Sequence, residues 1–434
     1  MPSRGRLKIE CFKGENYIPL DGCKVTIKGF ENRQDIQVTT DSSGLTEEVE
    51  LDAPPVEYSL NKDNEKQPYS VYDLVIEKDN FEPTMVKGCQ IFADQLAIQP
   101  CYMNESESRQ DQVIDILPNT LFGDYPPKIP EEEDKPLPPP SSGVVLQKPV
   151  VPGVITVHQG SPNDASAPNY TVPFKNYIKN VASCEIYSTW SESTIRANVF
   201  CIISFTLNRI YTEWYRGKGK RFDVTSSTAY DHAFNYGRNI YNSISVVVDE
   251  LFSTYIKRVN RKQPLLTQYC DGKNVSCPTW LSQWGSKYLG DEGKVPYEIL
   301  TYYYGDNIEL VTAEQVEGSP ESYPGYDLTV GSTGIAVSTI QNQLNAISKN
   351  YPLIPKVIAD GNFGPKTAES VKVFQGVFNL PKTGVVDYAT WYKISDVYVA
   401  VTKIAELRGR NNKNIFIPPS YSRNRSIKTP SIYY

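Results

Sequence analysis

The residues with the clearest chemical potential lie around Glu185. This glutamate ends a short apolar run, Trp190 follows it, and Ser191 and Glu192 open a stretch whose apolar residues have helical spacing. The spacing predicts a buried helix over 191–215 that holds Glu185 beside apolar and aromatic side chains. Such surroundings raise the pKa of a carboxyl group, so that it stays protonated near neutral pH and acts as an acid. The alternative is a surface glutamate in a turn, which on spacing alone is the commoner case.

The segment around Glu185 resembles the core of a known enzyme family. It reads VASCEIYSTWSESTIRANV and is similar to the stage II sporulation protein D family of peptidoglycan lytic transglycosylases. In this resemblance Glu185 matches the catalytic glutamate, Trp190 matches an aromatic position, and residues 195–199 match the family's Leu-Lys-Ala-Gln-Ala. The family's helix commonly continues with Ala-Arg-Thr-Tyr. This chain has Ile-Ile-Ser-Phe at 202–205, so that arginine contact to substrate is not carried over.

The same resemblance implies three further substrate-binding candidates beside Trp190. The segment TSSTAYDHAFNYG matches a family segment ending in Gln-x-Tyr-x-Gly, and His232 falls where the family usually has Gln. His232 is expected either to bind substrate or orient Glu185, or to be a structural histidine bonded to backbone. PLLTQYCDG matches a later family segment that approaches the cleft, which makes Gln268 and Tyr269 candidates.

The chemistry expected at this site needs only one carboxyl group. A hydrolase that breaks the bond between muramic acid and glucosamine normally uses two carboxylates. In a lytic transglycosylase the sugar's own C6 hydroxyl attacks the anomeric carbon, so one glutamate can protonate the leaving oxygen and then accept the hydroxyl proton. Glu185 alone suits this lytic route. A muramidase or glucosaminidase that hydrolyses with water is the alternative.

Three of the eight cysteines bear on the candidate chemistry. Cys270 and Cys277 fit a disulfide, two free thiols or, together with His232, a zinc site. The zinc site is the weakest of these three interpretations because its ligands come from distant segments. No metal or cofactor is therefore expected. Cys184 is discounted as a nucleophile because on an extended strand it would point away from Glu185, and no ordered Cys, His and Asn or Asp set is visible.

Composition along the chain predicts a multidomain protein. Residues 1–104 alternate apolar and polar residues, which predicts an all-β domain. It resembles the small β-sandwich modules related to carboxypeptidase regulatory domains and is interpreted as a pro-domain or a folding module. Residues 105–152 are rich in proline and acidic residues, which predicts an extended, protease-accessible linker. It is either a plain spacer or an activation linker, and the family resemblance favours the activation linker. The pattern of residues 153–318 predicts an α+β domain with a second helix over 239–257 and a buried strand over 264–270. The resemblance of its Glu185 segment implies that this is the catalytic domain.

The C-terminal part carries its own motif. Residues 326–396 contain the turns Asp360-Gly361 and Phe363-Gly364 between apolar stretches. They resemble the peptidoglycan-binding type 1 domain, which implies a three-helix module that binds cell wall. Residues 408–434 are basic and lack periodicity, which predicts a disordered tail.

Composition also excludes several function classes. The 434 residues carry a formal net charge of −6, which argues against a general nucleic-acid binder. Only two histidines occur, which argues against zinc amidases and endopeptidases. No apolar stretch is as long as the roughly 18 residues that would predict a membrane span. The N-terminus lacks the apolar core of a standard secretion signal. Assembly onto a developing spore from the mother cell would supply another route to cell wall.

Over nearly its full length the chain also resembles the SleC-type spore cortex-lytic enzymes of clostridia, on segments such as GDYPPKIPEEEDKPLPPP and QYCDGKNVSCPTWLSQWGS. This resemblance implies a zymogen at the cortex-coat region of the spore that lyses cortex peptidoglycan during germination. It also implies a subtilisin-like germination protease as the activating partner, with cleavage near residues 146–152. The alternative from another class is a non-catalytic spore-wall binding protein.

Overall fold

The computed structural model of the protein describes residues 3–14, 17–29, 34–105, 112–133, 135 and 148–402. The expected tail at 408–434 and part of the Pro-rich run lie outside these described residues. Within the described chain, no helix combines the length and apolar character needed to cross a membrane.

The N-terminal part consists mainly of strands. They are β1 (Ser3–Lys13), β2 (Ile18–Pro19), β3 (Lys24–Ile27), β4 (Ile36–Thr39), β5 (Val49–Ala53), β6 (Ser70–Glu77), β7 (Thr84–Ile91), β8 (Leu96–Met103) and β9 (Gln112–Asp115), with one short helix, α1 (Glu57–Leu60). One sheet has β1 between β5 and the parallel strand β8, and the other runs β4-β3-β6-β7-β9. Side chains alternate between buried and more exposed along β1, as expected of a half-buried strand.

The central part mixes helices and short strands. Its elements are β10 (Val154–His158), β11 (Asn169–Pro173), α2 (Phe174–Glu185), α3 (Glu192–Tyr211), β12 (Val224–Thr225), β13 (Ile240–Tyr241), α4 (Asn242–Leu251), β14 (Thr254–Arg258), β15 (Tyr269–Cys270), β16 (Leu281–Ser282), α5 (Gln283–Asp291), α6 (Pro296–Tyr304) and β17 (Ile308–Thr312), with one turn of 3₁₀-helix at Arg216–Lys218.

Helix α3 is the centre of this part. It begins where the sequence predicts, because the hydroxyl of Ser191 accepts the backbone N–H of Thr194 and caps the helix. Its side chains are buried on nearly all faces, since α2, α4, α5, α6 and β14 pack around it. Val199 and Ile203 are fully buried, and burying each such side chain contributes roughly 1.5–3 kcal/mol. The helix is therefore a rigid support for the loop that follows Glu185.

Three local expectations differ from the structure. Residues before Glu185 form α2 rather than a strand, because buried residues recur at helical spacing from Phe174 onward. The predicted helix over 239–257 is limited to α4, since the residues after it pair as β14 with the distant strand β17. Within the predicted strand over 264–270, only β15 is a strand. Backbone groups before it bond to side chains instead of a neighbouring strand; the carbonyl of Pro264, for example, accepts the side-chain amide of Asn208.

The N-terminal and central parts share a sheet. Strand β13 pairs antiparallel with β8 and so extends the N-terminal sheet by one strand. Residues 112–133 lie within the segment that the sequence predicts to be an extended linker. Instead β9 pairs with β7, and Asn119 and Leu121 are buried. The chain between the two parts is thus packed over 112–133 rather than open.

The C-terminal part contains α7 (Ile335–Ile347), α8 (Pro365–Val377) and α9 (Tyr388–Thr402). A repeated contact holds its turns. Gln341 on α7 accepts the N–H of Gly361 and donates to Thr367, while Gln375 on α8 accepts the N–H of Gly384 and donates to Thr390.

Candidate active site

Glu185 lies at the end of α2, where the chain turns extended at Ile186. Its side chain is 5% exposed. One carboxyl oxygen, Oε1, accepts the backbone N–H of Ala233 at 2.7 Å, and Oε2 accepts Nε2 of Gln283 at 3.3 Å. Burial raises the pKa of Glu185 above its usual value, although the charge of Lys128 and these two hydrogen bonds act in the opposite direction. The group is therefore a fixed carboxyl with the properties of a general acid.

Gln283 fixes the position of this carboxyl group. It is the first residue of α5, and its amide also donates to the backbone carbonyl of Glu185 at 3.1 Å. One side chain thus holds both the backbone and the side chain of the glutamate. Gln283 was not among the candidate residues, because it lies far from Glu185 in sequence and a lone glutamine before a tryptophan gives no spacing signal.

Tyr269 lines the same cavity as Glu185. It lies on β15, is buried, and has its pKa raised well above the usual value by burial and by the charge of Glu185. A tyrosine that stays protonated beside the acid can donate a hydrogen bond to it or to a bound sugar.

His232 supports the site from behind Tyr269. Its ring stacks on the Tyr269 ring at 5.7 Å, and its Nδ1 lies 3.1 Å from the hydroxyl of Tyr177. The side chain is fully buried, and burial lowers its pKa well below the usual value, so the ring is neutral. The contact to Glu185 comes from the next residue's backbone, at Ala233, rather than from the histidine ring.

Two other candidates make different contacts from those expected. The Gln268 amide donates to the carbonyl of Ile129 and its oxygen accepts the N–H of Glu131, so it binds the chain that precedes the central part. Trp190 is buried, and its indole N–H donates to the carbonyl of Ser59 in the N-terminal part at 3.0 Å. Its ring packs against Trp284 and Tyr187. The structure therefore does not bring Trp190 to the cavity beside Glu185.

A disulfide closes the loop beside the site. Cys270 and Cys277 are bonded to each other, so neither sulfur is available as a thiolate ligand for zinc. Within the described residues, no cluster of three or more potential metal ligands occurs. Inside the loop, the carboxylate of Asp271 accepts the N–H groups of Asn274 and Val275. The disulfide and this carboxylate together shape one wall of the site.

A cavity of about 70 Å³ lies beside Glu185. Tyr269, Gln283 and the disulfide-closed loop line one side, and residues 123–128 line the other. Lys128 enters this wall. Its ammonium group lies 4.8 Å from the centre of the Tyr269 ring and donates to the carbonyl of Asp231. Burial lowers the pKa of Lys128 to about 8. The cavity has no room for a glycan chain, since ligand sites typically enclose roughly 300–1,000 Å³.

Comparison with known proteins identifies one domain. Residues 333–394 match the family model described as a putative peptidoglycan binding domain, and this range includes α7 and α8 and the start of α9. No curated protein matches the chain. The solved structure of the Bacillus anthracis TIE protein is 18% identical, with a TM-score of 0.17, over 24% of this chain and 17% of that chain. At that TM-score the similarity carries no argument about fold or function.

The matched domain defines the broad class of protein. A peptidoglycan-binding domain supports association with the cell wall, and peptidoglycan is the partner it indicates. The expectation from the sequence for residues 326–396 is confirmed to this extent.

Proposed function

We propose that the chain is the zymogen of a germination-specific lytic transglycosylase that cleaves spore cortex peptidoglycan. The observation that carries this proposal is the buried carboxyl of Glu185, held by two donors beside a cavity, in a chain that also contains a peptidoglycan-binding domain. The resemblance of the flanking segment to the stage II sporulation protein D family and to SleC-type enzymes supports it. In this proposal the N-terminal sheets form a sandwich that acts as pro-domain, and α7–α9 form the three-helix binding module.

The proposed reaction proceeds in two steps at one carboxyl group. Protonated Glu185 first gives its proton to the oxygen that bridges two sugars, and the bond from that oxygen to the anomeric carbon of the muramic residue breaks. The resulting carboxylate then accepts the proton of the C6 hydroxyl, while the C6 oxygen bonds to the anomeric carbon. A 1,6-anhydro ring forms, Glu185 is protonated again, and no water is consumed.

The surrounding residues have distinct roles in this mechanism. The N–H of Ala233 and the amide of Gln283 keep the carboxyl in place in both protonation states. Tyr269 is the side chain best placed to contact a sugar beside Glu185. His232 acts through Tyr269, on which it stacks, and is a positioning residue. Gln268 reaches the substrate only if the chain at 129–131 leaves it.

Activation would require cleavage before the central part. Val151 is buried, and its backbone bonds to Gln315 and Glu317 beside β17, which protects that residue from a protease. Within the expected region of 146–152, the bonds before Val151 are therefore the better targets for a subtilisin-like germination protease. The protein would be made in the mother cell and stored at the cortex-coat region.

Hydrolysis is the second candidate, and Asp271 is the observation that favours it. This carboxylate lines the same cavity as Glu185 and could serve as the second carboxylate that hydrolases use. It already accepts two backbone N–H groups of its own loop, which favours a structural role and so favours the lytic route.

The test uses the full chain with a specific protease site inserted within residues 136–147, so that cleavage can be induced. After cleavage, we expect the wild-type chain to release soluble muropeptides from purified cortex. We expect Glu185→Gln to reduce the rate by a factor of about 100 to 10,000, because a general acid is lost. The control is Glu292→Gln, an exposed glutamate after α5, which should keep the wild-type rate.

Two results would contradict the proposal. Equal rates for Glu185→Gln and wild type would remove the glutamate from its role. Binding of cortex by the cleaved wild-type chain without any release of muropeptides would favour the non-catalytic spore-wall protein instead.

A further inference from the structure

The chain that precedes the central part is bonded to both sides of the Glu185 site. Upstream, the N–H of Thr120 donates to the carbonyl of Cys184 at 2.9 Å, and its hydroxyl to the carbonyl of Glu185 at 3.3 Å. Downstream, the N–H of Ile129 donates to the carbonyl of Ala229 at 2.7 Å. We call residues 117–133 the covering segment. Its two ends are bonded to the central part, and the residues between them form a wall of the cavity.

Lys128 lines the same cavity as Glu185 and brings a positive charge to it. Its ammonium group lies 4.9 Å from the centre of the Phe205 ring and 4.8 Å from the centre of the Tyr269 ring. This charge favours the carboxylate form of Glu185 and so opposes the protonated form that the reaction needs. The covering segment thus both fills the space beside Glu185 and disfavours its active protonation state.

Two glutamates of the covering segment bind arginines of the central part. Glu131 contacts both terminal nitrogens of Arg209, at 3.0 and 2.5 Å, and Glu133 contacts Arg258 Nε and Nη2 at 2.5 and 2.7 Å. Both pairs have the two-point geometry that guanidinium groups form with carboxylates. Glu131 follows Lys128 by three residues, so their Cα atoms lie within about 11 Å of each other. The arginine-binding glutamates therefore lie close in the chain to the lysine of the cavity wall.

Arg209 would lose one of its two carboxylate partners if the covering segment departed, while Asp231 and the carbonyl of Tyr230 would remain bonded to it. Its side chain is 0% exposed, and its Nε bonds to Asp231 at 2.7 Å, while its terminal nitrogens face Glu131. Buried guanidinium N–H groups that lose their acceptors destabilise the fold. A ligand that supplies a carboxylate at this position would restore the pair. Peptidoglycan carries such carboxylates on its peptide stems.

We propose that the covering segment occupies the glycan-binding groove as an internal substitute for substrate. In the activated enzyme, Arg209 and Arg258 then bind peptidoglycan carboxylates where Glu131 and Glu133 bind now. This inference rests on the proposed function and specifies how the same site is regulated and which groups of the substrate it recognises. Cleavage near 146–152 frees one end of the segment, so its local concentration at the groove falls and substrate can displace it.

The first test uses the uncleaved full chain carrying Glu131→Gln and Glu133→Gln together. The matched control is Glu132→Gln, which changes the exposed glutamate between them. We expect backbone hydrogen exchange across 117–133 to increase at least tenfold in the double variant, and muropeptide release by the uncleaved chain to increase at least tenfold. The control should match wild type in both measurements.

The two measurements separate failure of this inference from failure of the proposed function. Unchanged exchange and unchanged release in a folded double variant would overturn the inference. Faster exchange without release, in a protein that also stays inactive after cleavage, would refute the proposed function and leave the covering role intact. If the double variant does not fold, the single variant Glu133→Gln is used instead, because the ion pair of Glu133 with Arg258 is the more exposed of the two. This variant should increase exchange by a smaller factor, and no increase would overturn the inference.

The second test concerns the substrate carboxylates. In the cleaved chain, Arg258→Gln should raise KM for cortex several-fold with little change in kcat, because a ground-state contact is lost. On cortex whose carboxyl groups have been chemically amidated, the variant and wild type should have the same KM. A KM difference of equal size on both substrates would contradict a carboxylate-binding role for Arg258.

Discussion

Glu185, the proposed general acid, is a group whose burial opposes stability. The folded protein buries the carboxyl, and the charge of Lys128 and two hydrogen bonds offset only part of the unfavourable burial. Its pKa is raised in the folded state, so the folded protein binds this proton more tightly than the unfolded chain does. Stability from this group is therefore greatest at low pH and is lost as pH rises through the raised pKa.

This sign leads to a prediction for Glu185→Gln. At pH 7 the variant should have a free energy of unfolding higher than wild type by on the order of 1 kcal/mol, because a neutral amide replaces a buried carboxylate. The difference should vanish below the usual glutamate pKa, where both side chains are neutral. Denaturant unfolding between pH 4 and 8 measures it. A variant that is less stable than wild type at every pH would contradict the buried-acid interpretation.

Gln283 should tune the acid rather than bind substrate. Replacing it by leucine removes a hydrogen bond that lowers the pKa of Glu185. We expect Gln283→Leu to lower kcat about tenfold and to move the alkaline limb of the pH–rate profile to higher pH. Trp284→Phe, at the next position of α5, is the control and should leave that limb in place. A change in kcat with an unmoved limb would assign Gln283 a purely structural role.

The elements around the site show what could be predicted from sequence. The N-cap at Ser191 and the helical spacing after it predict α3, because both signals are local. The hydrogen bonds of Gln283 to Glu185 and the position of Lys128 on the same cavity could not be predicted, since they join segments more than 50 residues apart with no shared pattern. Trp190 has the aromatic character expected of a sugar platform, but its partner Ser59 lies in another part of the chain.

The loop closed by Cys270 and Cys277 should depend on its disulfide. Cross-linking a loop of this length stabilises a fold by roughly 2 kcal/mol through the unfolded chain. Replacing both cysteines by serine should therefore lower the melting temperature and loosen the wall that contains Asp271. Wild type in a reducing agent should melt like the double variant, and the double variant should not respond to the agent. Equal melting of oxidised and reduced wild type would contradict this role.

The N-terminal part is joined to the rest of the molecule by more than the chain itself. Strand β13 completes its sheet, Asn239 bonds to Gln90, and Tyr351 of the C-terminal part donates to the carbonyl of Tyr17 at 2.6 Å. These contacts are buried or partly buried and do not depend on the peptide bonds near 146–152. Activation by cleavage should therefore loosen the covering segment without separating the parts of the molecule.

We predict that the cleaved full chain elutes as one species in native size-exclusion chromatography and separates into two fragments only in denaturant. The uncleaved chain is the control for elution volume. Separation of the fragments under native conditions would mean that cleavage releases the N-terminal part outright, and that the shared sheet does not hold after cleavage.

The most direct test of Glu185 as a lone acid and base is the identity of the sugar ends it produces. Purified cortex is digested with the cleaved full chain in water enriched in ¹⁸O, and the muropeptides are analysed by mass spectrometry. We predict 1,6-anhydromuramic ends without ¹⁸O from the wild-type chain and no such ends from Glu185→Gln. Reducing ends that contain ¹⁸O would contradict the lytic mechanism and would assign the second carboxylate role to a residue such as Asp271.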